Sequence, residues 1–294
     1  MVKDENHAWS MLFKLIPESS HVLDIGCSSG HFGRQLMKQK KCIVDGIELD
    51  EADSKIASKY LRNVWTLNIE TDDLNAIKEK YDVIILADVI EHLVFPSVAL
   101  QRIKHLLKPS GILVFSVPNM SHISVRLALL AGKFTYTETG VLDKTHLHYY
   151  DFQELQRVLN EGGMEINTID YPVIAYPKTL VEMKLKQLGL RSNPDFYQHI
   201  ESPGMTAYQF IGTATYVSSK PNKKKLSAKQ AVQNDYILMA DEITGLKQEI
   251  ERVNGSLGAA QAEIEALRQS RAYKLARRVG DLTHTLKRPA NNKK

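Results

Sequence analysis

The sequence predicts an α/β domain built on a doubly wound, seven-stranded sheet, followed by a C-terminal α-helical coiled coil. Short apolar runs alternate with helical patterns from Ser20 to about Ser218, which is typical of parallel strands joined by crossover helices. The first apolar run leads through a glycine turn, within 22–30, into a helix. Beyond residue 226 the apolar spacing changes to a heptad repeat, which indicates a coiled coil rather than more of the sheet.

The predicted strands are short apolar runs bounded by turn residues, at 21–25, 42–47, 64–68, 81–86, 111–117, 164–171 and 207–217. Helical patterns fill the intervals near 31–39, 51–61, 71–79, 95–107 and 151–161. An extra helix near 5–16 precedes the first strand and should end at Pro17, because proline interrupts a helix. Two insertions, 119–150 and 172–206, follow late strands, where open α/β folds place their ligand crevice. We therefore expect both insertions to cover a substrate.

The distribution of charge supports a division of the chain into four segments. We predict an α/β domain over 1–219, a basic linker over 220–225, a coiled coil over 226–269 and a basic amphipathic tail over 270–294. Residues 1–219 hold 22 Lys and Arg against 26 Asp and Glu, whereas the remaining residues hold 16 against 8. An acidic front and a basic end indicate that the two parts of the chain have different partners.

The composition points to a globular protein of the cytoplasm. Hydrophobic residues make up 43% of the chain and charged residues 24%, which is ordinary for a soluble domain. The best apolar stretch, Val125–Ala131, is far short of the ~20 residues that a membrane-spanning helix needs. The first ten residues lack the apolar core of a secretory signal. Cys27 and Cys42 fit no disulfide or metal framework, which favours a reducing compartment.

The glycine turn after the first strand predicts a ligand site. Gly26 and Gly30 would let the backbone pass close to a ligand, since glycine carries no Cβ. The three-glycine spacing of phosphate-binding dinucleotide loops is absent. Asp24, at the end of the strand, would repel a pyrophosphate and suits a cationic ligand, such as the amino group of a methionine moiety.

Polar residues at the ends of later strands complete this predicted site. Glu48 ends the second strand, where a carboxylate can accept both hydroxyl groups of an adenosine ribose. Asn68 and Ile69 follow the third strand and offer an amide to the edge of an adenine ring and an apolar side chain to its face. Asp88 follows the fourth strand and is placed in the same site.

Over residues 20–218 these elements, in order, resemble the class I S-adenosylmethionine (SAM)-dependent methyltransferases. The resemblance implies a Rossmann-like methyltransferase sheet and SAM as the cofactor. The loop of that family usually reads D-x-G-x-G-x-G, and here Cys27, Ser28 and Ser29 follow the first glycine.

The segment Tyr81–Leu93 resembles the fourth motif of the same family, in the branch of the ubiquinone-biosynthesis O-methyltransferases. Asp88, Glu91 and His92 are spaced i, i+3 and i+4 at the expected start of a helix, so they should share one face. His146 follows the first insertion, where this branch often has a Thr-His pair. We take His146, His92 and Glu91 as the candidate catalytic residues.

Three interpretations of this reaction segment stay open. In the first, Asp88, Glu91, His92 and His146 bind Mg²⁺, Mn²⁺ or Zn²⁺, as a resemblance to the small-RNA 3′-terminal methyltransferases implies; the cation would hold two neighbouring hydroxyls and lower the pKa of the attacked one. In the second, no metal binds and His146 is the general base, with His148 as the alternative. In the third, Glu91 and His92 cap a helix and line the cofactor pocket only.

The heptad repeat predicts a homodimer. Eleven apolar residues follow a strict spacing of 4 and 3 at Val232, Tyr236, Met239, Ile243, Leu246, Ile250, Val253, Leu257, Ala260, Ile264 and Leu267. Isoleucine at one core position and leucine at the other favour a parallel dimer. The alternative is a single helix that packs on the catalytic domain.

The last segment predicts a surface for an anionic partner. Residues 268–294 carry nine basic groups and one acid, around a stripe of Leu275, Val279, Leu282 and Leu286. This pattern suits an anionic membrane surface or an acidic protein, and the alternative is a solvated charged end. Ser270–Arg278 resembles a short tail motif of bacterial enzymes that assemble surface polysaccharides, and Gly140–Tyr150 resembles methyltransferases of such gene clusters. These resemblances imply a glycan acceptor.

Together these features predict a bacterial, cytoplasmic O-methyltransferase that methylates a sugar hydroxyl of a surface polysaccharide or its precursor, peripheral at the inner face of the membrane. Three alternatives are a small-molecule or quinone-type O-methyltransferase, a non-catalytic scaffold that organises an assembly through its coiled coil, and an RNA methyltransferase. The acidic catalytic domain disfavours a nucleic-acid partner.

Overall fold

The computed structural model of the protein describes residues 7–174, 176–217, 252–259, 261, 262 and 266. The chain separates into two units, Met1–Asp235 and Tyr236–Lys294. All strands in the described part of the chain belong to the first unit, which therefore contains the predicted ligand site.

The strands of the first unit form one seven-stranded sheet with the order β3-β2-β1-β4-β5-β7-β6. They are β1 (His21–Ile25), β2 (Ile43–Glu48), β3 (Val64–Thr66), β4 (Tyr81–Ala87), β5 (Leu107–Pro118), β6 (Met164–Asp170) and β7 (Gln209–Tyr216). The first five strands run parallel to one another. The predicted doubly wound α/β fold is confirmed.

The last strand corrects the prediction of a parallel sheet. β7 lies between β5 and β6 and is antiparallel to both. The chain leaves the carboxyl end of β6 and, after the second insertion, re-enters the sheet at the same edge, where Val173 forms an antiparallel bridge with Ala207. A strand that returns at the edge its predecessor left must run in the opposite direction.

Among the described residues of the first unit, five helices cover the two faces of the sheet: α1 (Ala8–Leu15), α2 (His31–Lys40) and α3 (Glu51–Ala57) share one core cluster, and α4 (Pro96–Ile103) and α6 (Phe152–Glu161) share the other. The remaining helices of this unit belong to the two insertions and are α5 (Ile123–Leu130), α7 (Lys178–Gln187), α8 (Pro194–Ile200) and α9 (Pro203–Thr206). Neighbouring strand residues point to opposite faces: Leu23 and Ile84 pack in one core cluster, and Val22 and Val83 in the other. The buried strands therefore read as continuous apolar runs rather than alternating ones.

The predicted helix over 71–79 is wrong. Only a 3-10 turn at Leu74–Ala76 forms there, and the side chain of Asp73 accepts a hydrogen bond from the Asn75 N–H at 2.9 Å. Short Asp and Asn side chains compete with the backbone for such bonds and so favour turns over helix interiors. The predicted helices over 51–61 and 95–107 form but end earlier, at Ala57 and Ile103.

The two insertions join into one cap. Apolar side chains of α5, α7, α8 and α9 form a separate core of Ile123, Leu127, Val181, Leu185, Ile200 and Met205. At the base of the cap the Asn119 side-chain amide is buried and donates to the backbone oxygens of Gly204 and Ala207, at 3.1 and 2.7 Å. Because Asn119 directly follows β5, the cap is attached at the carboxyl edge of the sheet. That it covers a substrate stays a prediction.

In the second unit the described residues 252–259, 261, 262 and 266 are helical. Val253 and Leu257, two positions of the predicted heptad repeat, are 54% and 55% exposed. The linker over 220–225, the tail over 270–294 and most of the heptad repeat lie outside the described residues, so the coiled coil stays a prediction. No helix in the described part of the chain has the length and apolarity needed to cross a bilayer.

Candidate active site

The turn after β1 is shaped by two glycines with left-handed backbones, Gly26 (φ 72°) and Gly30 (φ 76°). A Cβ at Gly26 would lie 2.7 Å from Cγ2 of Val89, and one at Gly30 would lie 3.1 Å from Cα of Ala57. The turn therefore packs tightly against the segment after β4 and against α3. Both glycines are needed for the packing of the protein itself, in addition to any approach of a ligand.

A cavity of about 260 Å³ opens beside this turn. Three of the predicted cofactor residues line it, namely Asp24, Gly26 and Asp88. Trp9 from α1 and Phe32 from α2 line the same cavity, and their rings meet edge to face at 5.6 Å. Sequence analysis assigned no role to either aromatic residue, because each lies within an ordinary amphipathic helix pattern.

Asp24 brings an uncompensated carboxyl group to the cavity. The residue is only 3% exposed, and its Oδ2 has no hydrogen-bond partner among the described residues. Burial, with a smaller contribution from the charge of Glu48, raises the pKa of Asp24 to about 7. A buried acceptor without a donor is costly to leave unpaired, so this carboxylate fits a ligand that brings a positively charged donor.

Glu48 ends β2 and is tied to the same turn. Its Oε2 accepts a hydrogen bond from the Ser28 N–H at 2.7 Å, and its Oε1 accepts one from the Asp50 N–H at 2.9 Å. Glu48 does not line the 260 Å³ cavity, whereas Ser28 does. The carboxylate is thus held at the rim of the cavity, and each oxygen keeps a lone pair for a further donor.

Asn68 and Ile69, the residues predicted to contact adenine, are not among the residues that line this cavity. The Asn68 Oδ1 accepts from the Glu70 N–H at 2.8 Å, and Ile69 is 5% exposed within the main core. The next residue has a contact that sequence analysis missed. Glu70 accepts from the N–H groups of Val94 and Phe95, at 3.1 and 2.6 Å, and so joins the loop after β3 to the loop after β4.

Asp88 is fixed by contacts with two other strands. Its backbone is left-handed (φ 55°), and its N–H donates to both the backbone oxygen and Oγ of Ser116, each at 3.1 Å. The Ser116 hydroxyl donates to Oδ1 of Asp88 at 2.9 Å, and the Gln209 side-chain amide donates to the same oxygen. Sequence analysis missed Ser116 and Gln209, since Gln209 is separated from Asp88 by 121 residues.

Glu91, His92 and His146 come together at the carboxyl edge of the sheet. One ligand atom from each of these residues lies within 4.8 Å of those of the other two. Asp88, the fourth member of the predicted metal set, is not part of this group and makes the contacts described above. Glu91 and His92 lie in a 3-10 turn, Ile90–His92, and not at the start of the predicted helix, because Leu93 returns to extended backbone.

The carboxyl group of Glu91 is the buried and unpaired member of this cluster. Glu91 is 1% exposed, and neither carboxyl oxygen has a hydrogen-bond partner among the described residues. Burial, followed by the charge of Asp88, raises the pKa of Glu91 well above its ordinary value. The neighbouring imidazole of His146 is also buried, and this burial lowers its pKa and favours the neutral ring.

Hydrogen bonds set the orientation of both imidazoles. The Nδ1 atoms of His146 and His92 each lie 3.1 Å from a backbone oxygen, of Val141 and Thr145 respectively. Because a carbonyl oxygen only accepts, each Nδ1 carries the proton when its ring is neutral, and Nε2 keeps a free lone pair. This arrangement leaves two nitrogen ligands, or one general base, beside Glu91.

His148 is placed differently from His146. Its Nε2 lies 3.3 Å from the backbone oxygen of Val94, and it is not in the cluster with Glu91 and His92. The N–H groups of Leu147 and His148 donate to the backbone oxygen of Glu91 at 2.9 and 3.1 Å, which ties the histidine loop to the 3-10 turn. Of the two candidate bases, the geometry favours His146.

The fold and the cavity together define the class of enzyme domain to which the first unit belongs. A doubly wound sheet with a glycine turn after β1, an acidic residue facing the adjoining cavity and polar residues at the ends of β2 and β4 are the features of a SAM-dependent methyltransferase domain. A family model described as a methyltransferase domain matches residues 6–169, which is more than half of the chain. The chain belongs to this methyltransferase family.

Similar proteins carry names from the same class. The chain is 24% identical over 156 residues to a ubiquinone biosynthesis O-methyltransferase of Coxiella burnetii, covering 51% of this chain and 65% of the relative. It is 29% identical over 131 residues to the enzyme of that name from Pasteurella multocida, covering 38% and 52%. The chain thus spans between half and two thirds of the length of these relatives.

Among solved structures, the fold is similar to that of a SAM-dependent methyltransferase from Thermotoga maritima described as a possible histamine N-methyltransferase. The TM-score is 0.49 and the identity 18%, over 71% of this chain and 86% of that one.

Proposed function

We propose that the protein is a SAM-dependent O-methyltransferase that methylates a sugar hydroxyl of a surface polysaccharide or its precursor. The observation that carries the reaction type is the cluster of Glu91, His92 and His146, a set of groups suited to removing a proton from a hydroxyl. Asp88, which lines the cofactor cavity, precedes Glu91 by only three residues, so the chain directly connects the cavity to the cluster.

The residues around the cavity fit SAM. Asp24 would accept the ammonium group of the methionine part, and Glu48 at the rim would accept the ribose hydroxyls. Asn68 and Ile69 would need to present their amide and their apolar surface to the adenine ring. SAM supplies a methyl group that its sulfonium already activates, so the protein mainly has to align the acceptor and take up a proton.

We further propose that Glu91, His92 and His146 hold a divalent cation. A buried carboxylate without a donor and two imidazoles with free Nε2 atoms form a donor set of one oxygen and two nitrogens. Imidazole ligands shift the preference from Mg²⁺ towards Zn²⁺ or Mn²⁺. A cation there would supply Lewis acidity to the bound hydroxyl. Without it, His146 would act alone as the base, since its lowered pKa keeps the ring neutral.

Two features support a glycan as the acceptor. Aromatic rings of the first insertion surround the cluster: Tyr149 lies 6.2 Å from His146 and 5.9 Å from Phe134, between ring centres. Exposed rings such as Phe134 can stack on the apolar faces of sugar rings. The resemblances of Gly140–Tyr150 and of the tail to polysaccharide enzymes point the same way. The names of the relatives favour an aromatic, quinone-type acceptor as the second candidate.

A panel of acceptors tests the function. The full chain, with labelled SAM and added Mn²⁺ or Zn²⁺, should methylate nucleotide sugars or lipid-linked glycans in preference to catechols. His146→Ala should lower the rate by roughly 100-fold to 10,000-fold, the usual effect of losing a general base or metal ligand. His148→Ala is the matched control and should change the rate less than about threefold. Transfer to catechols alone would replace the glycan proposal by the quinone-type one.

We also propose that residues 226–269 form a homodimeric coiled coil and that the tail over 270–294 brings the enzyme to the inner face of the membrane or to a protein of polysaccharide assembly. Support comes from the heptad spacing and from nine basic residues against one acid after residue 267. Each basic residue near an anionic lipid surface contributes about 1 kcal/mol to membrane binding. This attraction would add to the binding free energy that the narrow apolar stripe supplies.

Truncation separates these two roles. A chain that ends at residue 269 should stay dimeric in equilibrium sedimentation but should no longer sediment with anionic vesicles. A chain that ends at residue 225 should be monomeric and should still bind SAM. Binding of the full chain to vesicles should fall as salt rises, because exposed charges are screened within ~8 Å at physiological ionic strength. If the full chain ignores such vesicles at low salt, the membrane role is lost and an acidic protein partner replaces it.

A further inference from the structure

The Asp88 side chain accepts hydrogen bonds from two side chains that lie far from it in the sequence. Two donors from different strands, the Ser116 hydroxyl on β5 and the Gln209 amide at the start of β7, converge on the single oxygen Oδ1. Among the described residues no group donates to Oδ2, and Asp88 lines the cofactor cavity. Two donors on one oxygen fix the plane of the carboxylate and leave the other oxygen free for a ligand.

The two donors that orient the Asp88 carboxylate carry no charge of their own. Ser116 and Gln209 are buried and uncharged, so they hold the carboxylate without neutralising it. A lysine or arginine at either position would pair with Asp88 and cancel its charge. The cavity therefore presents two carboxyl groups, Asp24 and an oriented Asp88, and SAM carries two positive centres, its ammonium and its sulfonium.

We propose that Ser116 and Gln209 are positioning residues that direct the Asp88 carboxylate towards the sulfonium of SAM, so that the protein distinguishes SAM from its product S-adenosylhomocysteine, whose thioether sulfur carries no charge. This inference rests on the proposed SAM-dependent function. A charge that is already oriented stabilises the ligand without reorganising when it binds. Discrimination by charge would also favour release of the product after transfer.

Gln209 also connects the cofactor cavity to the cap. It lies three residues after the end of the second insertion, and it pairs in the sheet with Pro118, the last residue before the first insertion. The Asn119 N–H donates to the backbone oxygen of Tyr208 at 3.0 Å. The amide that orients Asp88 is therefore held by the base of both insertions, which aligns the cap with the cofactor cavity.

Calorimetric titration of the full chain with SAM and with S-adenosylhomocysteine tests the proposal. Gln209→Leu should weaken SAM binding about tenfold and S-adenosylhomocysteine binding less than about twofold. In an Asp88→Ala background the same substitution should have no further effect, because Gln209 acts through Asp88. The control is Thr213→Val on β7, the strand of Gln209; it removes a 2.8 Å hydrogen bond to Thr168 on β6 and should leave both affinities unchanged.

Equal losses for the two ligands, or additive effects of Gln209→Leu and Asp88→Ala, would overturn the positioning role. If Gln209→Leu fails to fold, Gln209→Glu provides the second variant. At pH 8 its carboxylate should repel Asp88 and weaken SAM binding, and at lower pH the protonated acid can donate, so the SAM affinity relative to the wild type should recover. If the SAM affinity does not recover at lower pH, the result contradicts the proposal. Failure of the unmodified protein to bind SAM would instead refute the proposed function itself.

Discussion

Replacement of Asp24 by asparagine should weaken SAM binding by roughly 10-fold to 150-fold at pH 8, which corresponds to the loss of a charge-assisted hydrogen bond of about 1.5–3 kcal/mol. The reason is that Asp24 is buried, has no donor for Oδ2 among the described residues and lines the cofactor cavity. Isothermal titration calorimetry with SAM measures the effect directly and needs no acceptor substrate.

The raised pKa of Asp24 also predicts how the affinity for SAM changes with pH. Because the pKa of Asp24 in the free protein is raised to about 7, the group is mostly protonated below pH 7 and cannot pair with a cation. The affinity of the unmodified protein for SAM should therefore rise between pH 5.5 and 7.5 and level off above. Binding at pH 7 should also release protons. Asp24→Asn should remove both effects.

A stability measurement separates the ligand role from a structural one. A raised carboxyl pKa means that the folded state binds this proton more tightly than the unfolded state does. The contribution of Asp24 to the free energy of unfolding is then greatest below the unfolded pKa of about 3.9 and decreases as the pH rises towards 7. At pH 8 Asp24→Asn should therefore raise the melting temperature of the free protein while it weakens SAM binding. The control is Asp53→Asn, which removes the charge of a nearby carboxylate that accepts a 2.9 Å hydrogen bond from the Ser28 hydroxyl. A lowered melting temperature with unchanged affinity would assign Asp24 to the fold instead.

Features encoded by neighbouring residues could be predicted from the sequence. The strand, the glycine turn and Asp24 lie within nine residues of each other, so one short segment specifies the turn and its acid. The spacing of Asp88, Glu91 and His92 indicated one site, although the segment forms a 3-10 turn and Asp88 has different partners. His146 could be associated with this cluster only through the resemblance to the methyltransferase family, because 54 residues separate it from His92.

Features that depend on contacts between distant segments could not be predicted. Gln209 reaches Asp88 only because β7 inserts between β5 and β6, and the sequence does not encode the direction of that strand. Asp45 is a second example. It lies inside the apolar strand β2 and is fully buried, yet it pairs with Arg62 and accepts from the Tyr81 hydroxyl at 2.8 Å. Local apolar patterns contain no information about such partners.

Removal of divalent cations should abolish methyl transfer. If Glu91, His92 and His146 hold a cation, dialysis against a chelator should lower the rate about 100-fold or more, because a Lewis acid at the attacked hydroxyl contributes several kcal/mol. Mn²⁺ or Zn²⁺ added back should restore the rate. Glu91→Gln has the same shape but lacks the charge, and it should reproduce the loss in the presence of either ion.

Direct binding distinguishes the cation from a histidine base. Titration with Mn²⁺ followed by electron paramagnetic resonance should show one tight site per chain in the unmodified protein. That site should disappear in Glu91→Gln and His92→Ala and persist in His148→Ala, whose imidazole contacts the Val94 backbone instead. Full activity after chelation, combined with an inactive His146→Ala, would mean that His146 removes the proton unaided. In that case the free Nε2 of His146 carries the chemistry, and the buried Glu91 serves only to shape the pocket around it.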